Sequence, residues 1–336
     1  MKKIAIITDA WHPQVNGVVT TYAKIIPILE KRGYAVSVIH PGFFRTIPLP
    51  FYPEIRLAIF PRRKIRAMLD ELKPNAIHIA VEGPLGVAAR SICRKRGIPF
   101  TTAYHTHFQL HIEARVHGTF FTPAAYAALG WFHGGARATM VATKSLKNEL
   151  EKHGLKNLAL WPLGVDTEIF KRNTVPRLPP LQKPVFVYFG RLAVEKSSEE
   201  FLALDLPGTK LVIGDGPDRI RLKKKYGNRA VFVGYKRGQE LVDWLSLADV
   251  FVFPSRSETF GLVVLEALAC GIPVVAHDVM GPRDIITNGV DGYLSEDLGK
   301  AARDALLLDR KNCRETAERY SWEHSVDAFV QNLIFF

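Results

Sequence analysis

The sequence predicts an α/β protein of two doubly wound, Rossmann-like halves, each built on a parallel sheet. Three observations carry this. The chain has 336 residues, enough for two domains. Short apolar segments alternate with helical ones along both halves, the pattern of parallel strands joined by crossover helices. In the second half, glycine-rich turns follow directly on the apolar segments, at the carboxyl edge where open parallel sheets bind ligands.

Taken in order, Ile4–Thr8 reads as the first strand. The loop Asp9–Gly17 leads into a helix from Val18 to Lys31, with Pro27 as a kink inside it and Gly33 at its end. Strand Ala35–Ile39 follows. Residues 42–61 break the alternation: Pro48, Pro50, Pro53 and Pro61 forbid a long helix. This aromatic segment, with Arg45, Arg56 and the Arg62-Arg63-Lys64 cluster, reads either as a loop folded on its own core or as a surface that dips into lipid headgroups. Helix Arg62–Leu72, strand Ala76–Ala80, helix Leu85–Arg96, strand Phe100–Tyr104, strand Thr139–Ala142 and helix Leu146–Lys152 complete a first domain over residues 1–170.

Residues 171–184, with Pro176, Pro179, Pro180 and Pro184, read as the linker. The second domain covers 185–315. Its strands are Val185–Phe189, Lys210–Ile213, Val231–Val233, Val250–Phe253 and Pro273–Ala276. Helices are expected with Glu195-Lys196 at the head of a short one, near Glu240–Leu247, and over Gly261–Cys270. A helical tail, 316–336, is expected to return to the first domain, with Ser321 as a candidate cap.

Composition narrows the function classes. The chain is 47% hydrophobic and 23% charged, an ordinary globular balance. Cys93, Cys270 and Cys313 are few, odd in number and without metal-ligand spacing, which points to reduced thiols and a cytoplasmic setting. The apolar run after Met1 is too short for a signal peptide, and no apolar run is long enough to span a bilayer. The net charge of +12 is lopsided. Residues 1–170 carry 22 Lys+Arg against 11 Asp+Glu, and residues 171–336 carry 23 against 22. A basic first half predicts an anionic partner, such as a membrane surface or an acidic acceptor. Nucleic acid is disfavoured, because Arg94-Lys95-Arg96 and Lys223-Lys224-Lys225 are not interleaved with aromatics on a binding sheet.

The chemistry gathers on one predicted edge. Gly190, Gly214, Gly216 and Gly234-Tyr235 end strands there, and Arg191 and Lys196 supply two cations suited to a diphosphate. Glu258 precedes the helix that starts near Phe260, Gly261 and Leu262, whose amides are candidate donors to a phosphate or sugar oxygen. Glu266 interrupts that apolar helix and suits a ribose diol. The edge therefore fits a nucleotide diphospho-sugar. There is no G-x-G-x-x-G in the first half, which argues against a dinucleotide site. His105, His107, His111 and His117 invite a metal reading, but no further ligand has fixed spacing, so no metal is expected.

These residues carry a resemblance. Gly190-Arg191-x4-Lys196, Gly214-Asp-Gly-Pro217 and Glu258-x7-Glu266 within Pro-Ser-x-x-Glu-x-Phe-Gly resemble the retaining glycosyltransferases of family 4, which have the GT-B fold, two such domains facing across a cleft. Val15-Asn-Gly17, Glu82-Gly-Pro84, Tyr104-His-Thr-His107 and Gly164-Val-Asp166-x-x-x-Phe170 are also similar to that family, nearest its sulfolipid, glycerolipid and α-mannosyltransferase branch. The resemblance implies that Arg191 and Lys196 bind the diphosphate, that Glu258 positions the donor sugar and that Glu266 holds the ribose. It implies that Gly17 lets backbone approach the phosphates, that Gly234-Tyr235 border the base, and that His105 lines the sugar–acceptor site. No metal or other cofactor is implied. Gly17 is preceded by Asn16 where many relatives have a second glycine, so the loop's conformation is open at this stage.

The expected function is retaining transfer of a hexosyl group from a UDP- or GDP-sugar. The acceptor is a diacylglycerol-type lipid or a lipid-linked sugar, and the protein is peripheral on the inner face of the cytoplasmic membrane. A soluble, polysaccharide or lipopolysaccharide-core acceptor is the alternative within enzymes. A non-catalytic, membrane-associated nucleotide-binding scaffold is the alternative outside them. Neither the donor base nor the oligomeric state is legible.

Overall fold

The structure, a computed structural model, describes residues 1–14, 16–49, 52–105, 122–173 and 178–336, with backbone alone for 52–54 and 122. It divides into two compact units. One holds the described residues up to Leu163 together with Trp322–Phe336; the other is Gly164–Ser321.

In the first unit the elements run β1 (Lys3–Ile7), α1 (Gly17–Lys31), β2 (Ala35–Ile39), β3 (Thr46–Leu49), β4 (Tyr52–Ala58), α2 (Arg62–Leu72), β5 (Ala76–Ile79), α3 (Pro84–Arg96), β6 (Thr101–Tyr104), α4 (Thr122–His133), β7 (Ala138–Val141), α5 (Lys144–Lys152) and β8 (Leu158–Leu160). Among the described residues, six strands form a parallel sheet in the order β2-β1-β5-β6-β7-β8. The order reverses between β1 and β5, so the loops after those two strands diverge and leave a crevice at the carboxyl edge. Ile7, Ile39, Ile77, Ile79, Leu85 and Phe100 fill one core face.

Residues 42–61 are ordered differently from the expected loop. A 3-10 turn, Pro41–Phe43, leads into β3 and β4, which pair antiparallel as a separate ribbon. Its prolines are tolerated because a two-stranded ribbon leaves the outward N–H of every second residue unused. Arg56 Nε donates to Thr46 Oγ1 at 3.0 Å across the ribbon, and Lys64 Nζ donates to the Phe43 carbonyl at 2.6 Å. Ala58 is buried, but Ile47, Ile59 and Phe60 are exposed, Phe60 at 92%.

The second unit runs β9 (Val185–Phe189), α6 (Ser198–Ala203), β10 (Thr209–Ile213), α7 (Arg219–Tyr226), β11 (Val231–Gly234), α8 (Gly238–Leu245), β12 (Val250–Phe253), α9 (Leu262–Ala269), β13 (Val274–Ala276), α10 (Pro282–Ile285), β14 (Gly292–Leu294), α11 (Leu298–Asp304) and α12 (Arg310–Glu318). Its parallel sheet has the order β11-β10-β9-β12-β13-β14. Strands β9 and β12 are buried along their whole length, as continuous apolar runs in the middle of a parallel sheet must be. Burying Phe186 and Phe251 contributes about 1.5–3 kcal/mol each. Here the strand order reverses between β9 and β12.

The expected tail helix is two helices. Arg310–Glu318 belongs to the second unit, and α13 (Trp322–Asn332) belongs to the first. The break falls where Val165 N donates to the Tyr320 carbonyl, at 2.9 Å. The passage from the first unit to the second lies at Leu163/Gly164, ahead of the proline-rich stretch. Arg314 Nη1 donates to the Phe170 carbonyl at 2.9 Å, and Asn173 N donates to Ser246 Oγ at 2.9 Å, which anchors this stretch to the second unit.

One glycine fixes the second sheet's carboxyl edge. Gly214 has φ +149°, and a Cβ there would lie 1.9 Å from the Gly190 carbonyl oxygen. Gly214→Ala should therefore destabilise the second unit by about 2–4 kcal/mol, seen as a lower denaturant midpoint. An unchanged midpoint would refute the close approach.

Candidate active site

Backbone bonds zip the second unit's carboxyl-edge loops together. Gly190 N donates to Ile213 O (3.0 Å), Leu192 N to Asp215 O (2.9 Å), Gly214 N to Gly234 O (2.9 Å) and Asp218 N to Leu192 O (3.1 Å). Tyr188, at the end of β9, donates its hydroxyl to the Arg191 carbonyl at 2.8 Å, which fixes the turn that carries Arg191. Burial and the nearby Glu195 and Glu258 carboxylates push the Tyr188 hydroxyl far above its ordinary value, so it stays protonated and donating. Tyr188 is not legible as a site residue in the sequence, because it looks like one more aromatic in a buried strand.

Lys196 ends a 3-10 turn, Val194–Lys196, and its Nζ meets Glu258 Oε2 at 2.8 Å. The side chains are 24% and 16% exposed, so this pair is largely out of bulk water. Burial pushes the Glu258 carboxyl up, but the Lys196 ammonium and the amides of Thr259 and Phe260 outweigh it and hold the carboxyl below its ordinary value. Thr259 N reaches Glu258 Oε1 at 3.0 Å. Two pairings are added to the expected contacts: Lys196 and Glu258 meet each other, and the Phe260 amide reaches Glu258. The physical reason is the same for both: a carboxylate shielded from water recruits the nearest donors.

Helix α9 starts at Leu262 after Gly261, and Phe260, just ahead of it, is buried. Leu262, Val263 and Glu266 are half-buried, while Val264, Leu265 and Ala267 through Ala269 are buried. Glu266 thus shares the helix face that opens to solvent. Arg191 and Gly190 follow β9, Gly216 lies in the turn after β10, and Gly234 ends β11 with the half-exposed Tyr235 beyond it. Apart from Gly17 and His105, all the expected site residues therefore fall on one edge, around the β9/β12 reversal. A cluster the sequence does not signal adjoins it. His277, fully buried after β13, lies 2.9 Å from Glu200 and 3.6 Å from Glu296, and Arg256 contacts both carboxylates.

The first unit holds Gly17 and His105. Asn16 is extended (φ −155°), and its side chain caps α1 by accepting from Val19 N at 3.0 Å. That resolves the Asn16-Gly17 question: Asn16 acts as a helix cap, so no left-handed residue is required there. Asp9, after β1, is buried and accepts from the amides of Leu85 and Gly86 at the start of α3, at 3.0 and 3.2 Å. Gly83 permits this, since a Cβ there would sit 2.3 Å from Asp9 Cγ. Burial raises Asp9 to about 6 against the pull of those amides.

His105 follows β6. Its Nε2 is 3.2 Å from Tyr22 Oη, which is 2.7 Å from His78 Nε2. Burial pushes His105 down to about 4 and His78, beside it, down to about 3. Neither Tyr22 nor His78 belongs to a motif, although a histidine inside the apolar strand Ala-Ile-His-Ile is a signal. His107, His111 and His117 lie outside the described residues. Among the described residues no group of three or more His, Cys, Asp or Glu side chains could hold a metal. Cys93, Cys270 and Cys313 are free thiols, all buried.

Comparisons with known proteins bear on the family and the fold. The family described as Glycosyltransferase Family 4 matches residues 15–169, and that described as Glycosyl transferases group 1 matches residues 183–308. A sulfoquinovosyl transferase of Arabidopsis thaliana is 32% identical over 92% of this chain and 68% of its own. A GDP-mannose-dependent α-mannosyltransferase of Mycobacterium tuberculosis is 32% identical over 87% of this chain and 83% of its own. The chain belongs to the family 4 glycosyltransferases. An α-monoglucosyldiacylglycerol synthase of Streptococcus pneumoniae is 26% identical over 97% of this chain and 83% of its own. A solved sucrose-phosphate synthase from Thermosynechococcus elongatus superposes with a TM-score of 0.81, at 21% identity, over 98% of both chains. The fold is GT-B, and the protein is a hexosyltransferase that takes its sugar from a nucleotide sugar.

The buried histidines predict a pH dependence. An unfolded histidine titrates near 6.5, while His78 and His105 stay neutral in the fold until about 3 and 4. Below pH 6.5 the unfolded chain therefore binds more protons, and stability falls as pH falls. Asp9 works the other way, taking a proton in the fold at about 6 against 3.8 unfolded. His78→Gln should flatten the loss of stability between pH 6 and 4.5 by about 1.4 kcal/mol per pH unit, measured from urea midpoints. An unaltered slope would mean that His78 is not buried neutral.

Proposed function

We propose that this glycosyltransferase moves a hexosyl group, with retention, from a UDP- or GDP-sugar to a lipid acceptor at a cytoplasmic membrane face, without a metal. The observation that carries the reading is the second unit's carboxyl edge. There the Arg191 turn, the Lys196–Glu258 pair and Glu266 flank the β9/β12 reversal. A diphosphate entering that edge takes Lys196 from Glu258 and leaves the carboxylate for the sugar hydroxyls. As the anomeric C–O bond breaks, negative charge grows on the departing diphosphate, and Arg191 and Lys196 stabilise it. The acceptor hydroxyl attacks the anomeric carbon from the same face and passes its proton to the leaving phosphate oxygen. Two side-chain cations make a metal unnecessary in this reading.

The lipid acceptor is supported by two facts. The monoglucosyldiacylglycerol synthase relative has a lipid in its name. Exposed Ile59 and Phe60 stand directly before the exposed cations Arg62, Arg63 and Lys64. An apolar tip beside clustered charge suits an anionic bilayer, at about 1 kcal/mol per basic residue near the surface. No helix among the described residues is long and apolar enough to cross a membrane.

A thermal-shift screen with UDP, GDP, ADP and their common sugars should single out one nucleoside diphosphate, with the same shift in EDTA. Arg191→Ala should lower transfer about 10²–10³-fold. An inverted product anomer by NMR would overturn retention, and loss of transfer in EDTA would overturn the metal-free reading. Phe60→Asp should reduce cosedimentation with phosphatidylcholine–phosphatidylglycerol vesicles while leaving nucleotide binding intact. Equal cosedimentation of the variant would remove this surface from the reading.

A further inference from the structure

The second half of the chain is nearly neutral only as a sum. Residues 219–237 hold eight Lys+Arg and no Asp or Glu, so the rest of residues 171–336 carries 15 basic residues against 22 acidic ones. Five of the eight lie on α7, which has no acidic residue in its first turn. Arg219 and Arg221 stand at the positive end of the helix dipole. Arg219/Lys223 and Arg221/Lys225 are like charges one helical turn apart. Such a pattern costs stability unless anions meet it.

The protein supplies only part of that anionic charge. Leu222 is buried, and Tyr226 donates its hydroxyl to Glu199 at 3.3 Å, which sets the inward face of α7. Glu199 of α6 accepts from Arg221 at 2.6 Å and from Lys225 at 2.8 Å. Arg219 and Arg221 also reach Asp215 and Asp218, at 3.4 and 3.6 Å. Lys223 and Lys224 are exposed and have no ion pair among the described residues. Ile220 stands beside them, 84% exposed. Ile220 and Lys224 lie one turn apart on the face turned away from Leu222.

We infer that this face of α7 docks on an anionic phospholipid bilayer. The unpaired ammonium groups of Lys223 and Lys224 meet lipid phosphates, and Ile220 enters the headgroup layer. A bilayer offers both anionic heads and an apolar interior, whereas a soluble polyanion has no use for the exposed isoleucine. A nucleic acid would find no stacking platform, since the one aromatic of α7, Tyr226, is turned inward to Glu199. Helix α7 begins directly after the turn at residues 214–217, where Arg219 N donates to the Gly216 carbonyl at 3.1 Å. The docked face therefore adjoins the candidate donor edge of the same unit. This inference rests on the membrane part of the reading above and adds to it a second contact, in the other unit from Phe60.

The test is cosedimentation of the full chain with phosphatidylcholine vesicles, with and without phosphatidylglycerol. Lys223→Gln combined with Lys224→Gln should weaken partitioning onto the anionic vesicles about 30-fold at low ionic strength, about fivefold per cation. The difference should vanish on phosphatidylcholine alone and shrink in high salt. The urea midpoint of this variant should not fall, because two unpaired cations are lost, and that separates loss of docking from loss of fold. Ile220→Cys carrying an environment-sensitive fluorophore should shift to the blue on phosphatidylglycerol vesicles; the native cysteines are buried. Unchanged partitioning of the lysine variant, or a label that stays in water on bound protein, would overturn the inference even where Phe60→Asp releases the protein. Release by the lysine variant, with Phe60→Asp still bound, would keep this surface and remove the other. A wild type that does not bind anionic vesicles would overturn both. Binding of tRNA that depends on the two lysines, with the label in water on vesicles, would assign α7 to nucleic acid instead.

Discussion

The second unit depends on how closely three strand-end loops approach one another. Gly190, Gly214 and Gly234 bring backbone against backbone at the carboxyl edge, and at Gly214 a Cβ would collide with the Gly190 carbonyl. That packing leaves the Arg191 turn, held by Tyr188, and the Lys196–Glu258 pair as the polar groups that ring the crevice. A strand order that reverses at β9 and β12 then supplies the opening. Topology places the candidate site, Gly214 permits the close approach of its loops, and a shielded ion pair lines it.

The first unit uses the same topology with different chemistry. At its own strand-order reversal, the β1/β5 crevice, Asp9 occupies the start of α3 with a carboxylate of the protein's own. The helix end that could take an external anion is filled. Beside it run the buried Tyr22–His78–Thr101 contacts and a second polar chain, Glu82–His133–Thr102–Thr139, linked at 3.1, 2.9 and 2.9 Å. Buried polar groups in such chains are costly unless all are matched, so they specify one arrangement of the surrounding strands.

Much of this is legible in the residues. Strand Val185–Phe189 and helix Arg62–Leu72 have the bounds their apolar patterns imply. Glycines after apolar runs locate the ligand edge. What the residues do not reveal are features decided by pairing at a distance. The ribbon of β3 and β4 has too many prolines to read as strands, because sequence rules do not show which N–H groups point outward. Lys196 and Glu258 lie far apart in sequence, so their pairing is invisible there, as is the Phe260 amide's turn toward Glu258. His78 looks like a defect in an apolar strand until Tyr22 and Thr101 are seen on either side of it.

The last helix gives the chain an unusual order of assembly. Trp322–Phe336 completes the first unit: Ser325 holds Trp161, Asp327 pairs with Arg32 at 2.5 Å, and Phe336 N reaches the Asn75 carbonyl at 2.8 Å. Among the described residues the second unit is one continuous stretch, lying in sequence between the rest of the first unit and that helix. In vectorial synthesis its residues precede that helix, so the Trp161–Phe329 contact, 5.0 Å between rings, can form only after the second unit's chain has been made. Among the described residues, the first unit is thus closed by a helix that follows the whole of the second unit in sequence.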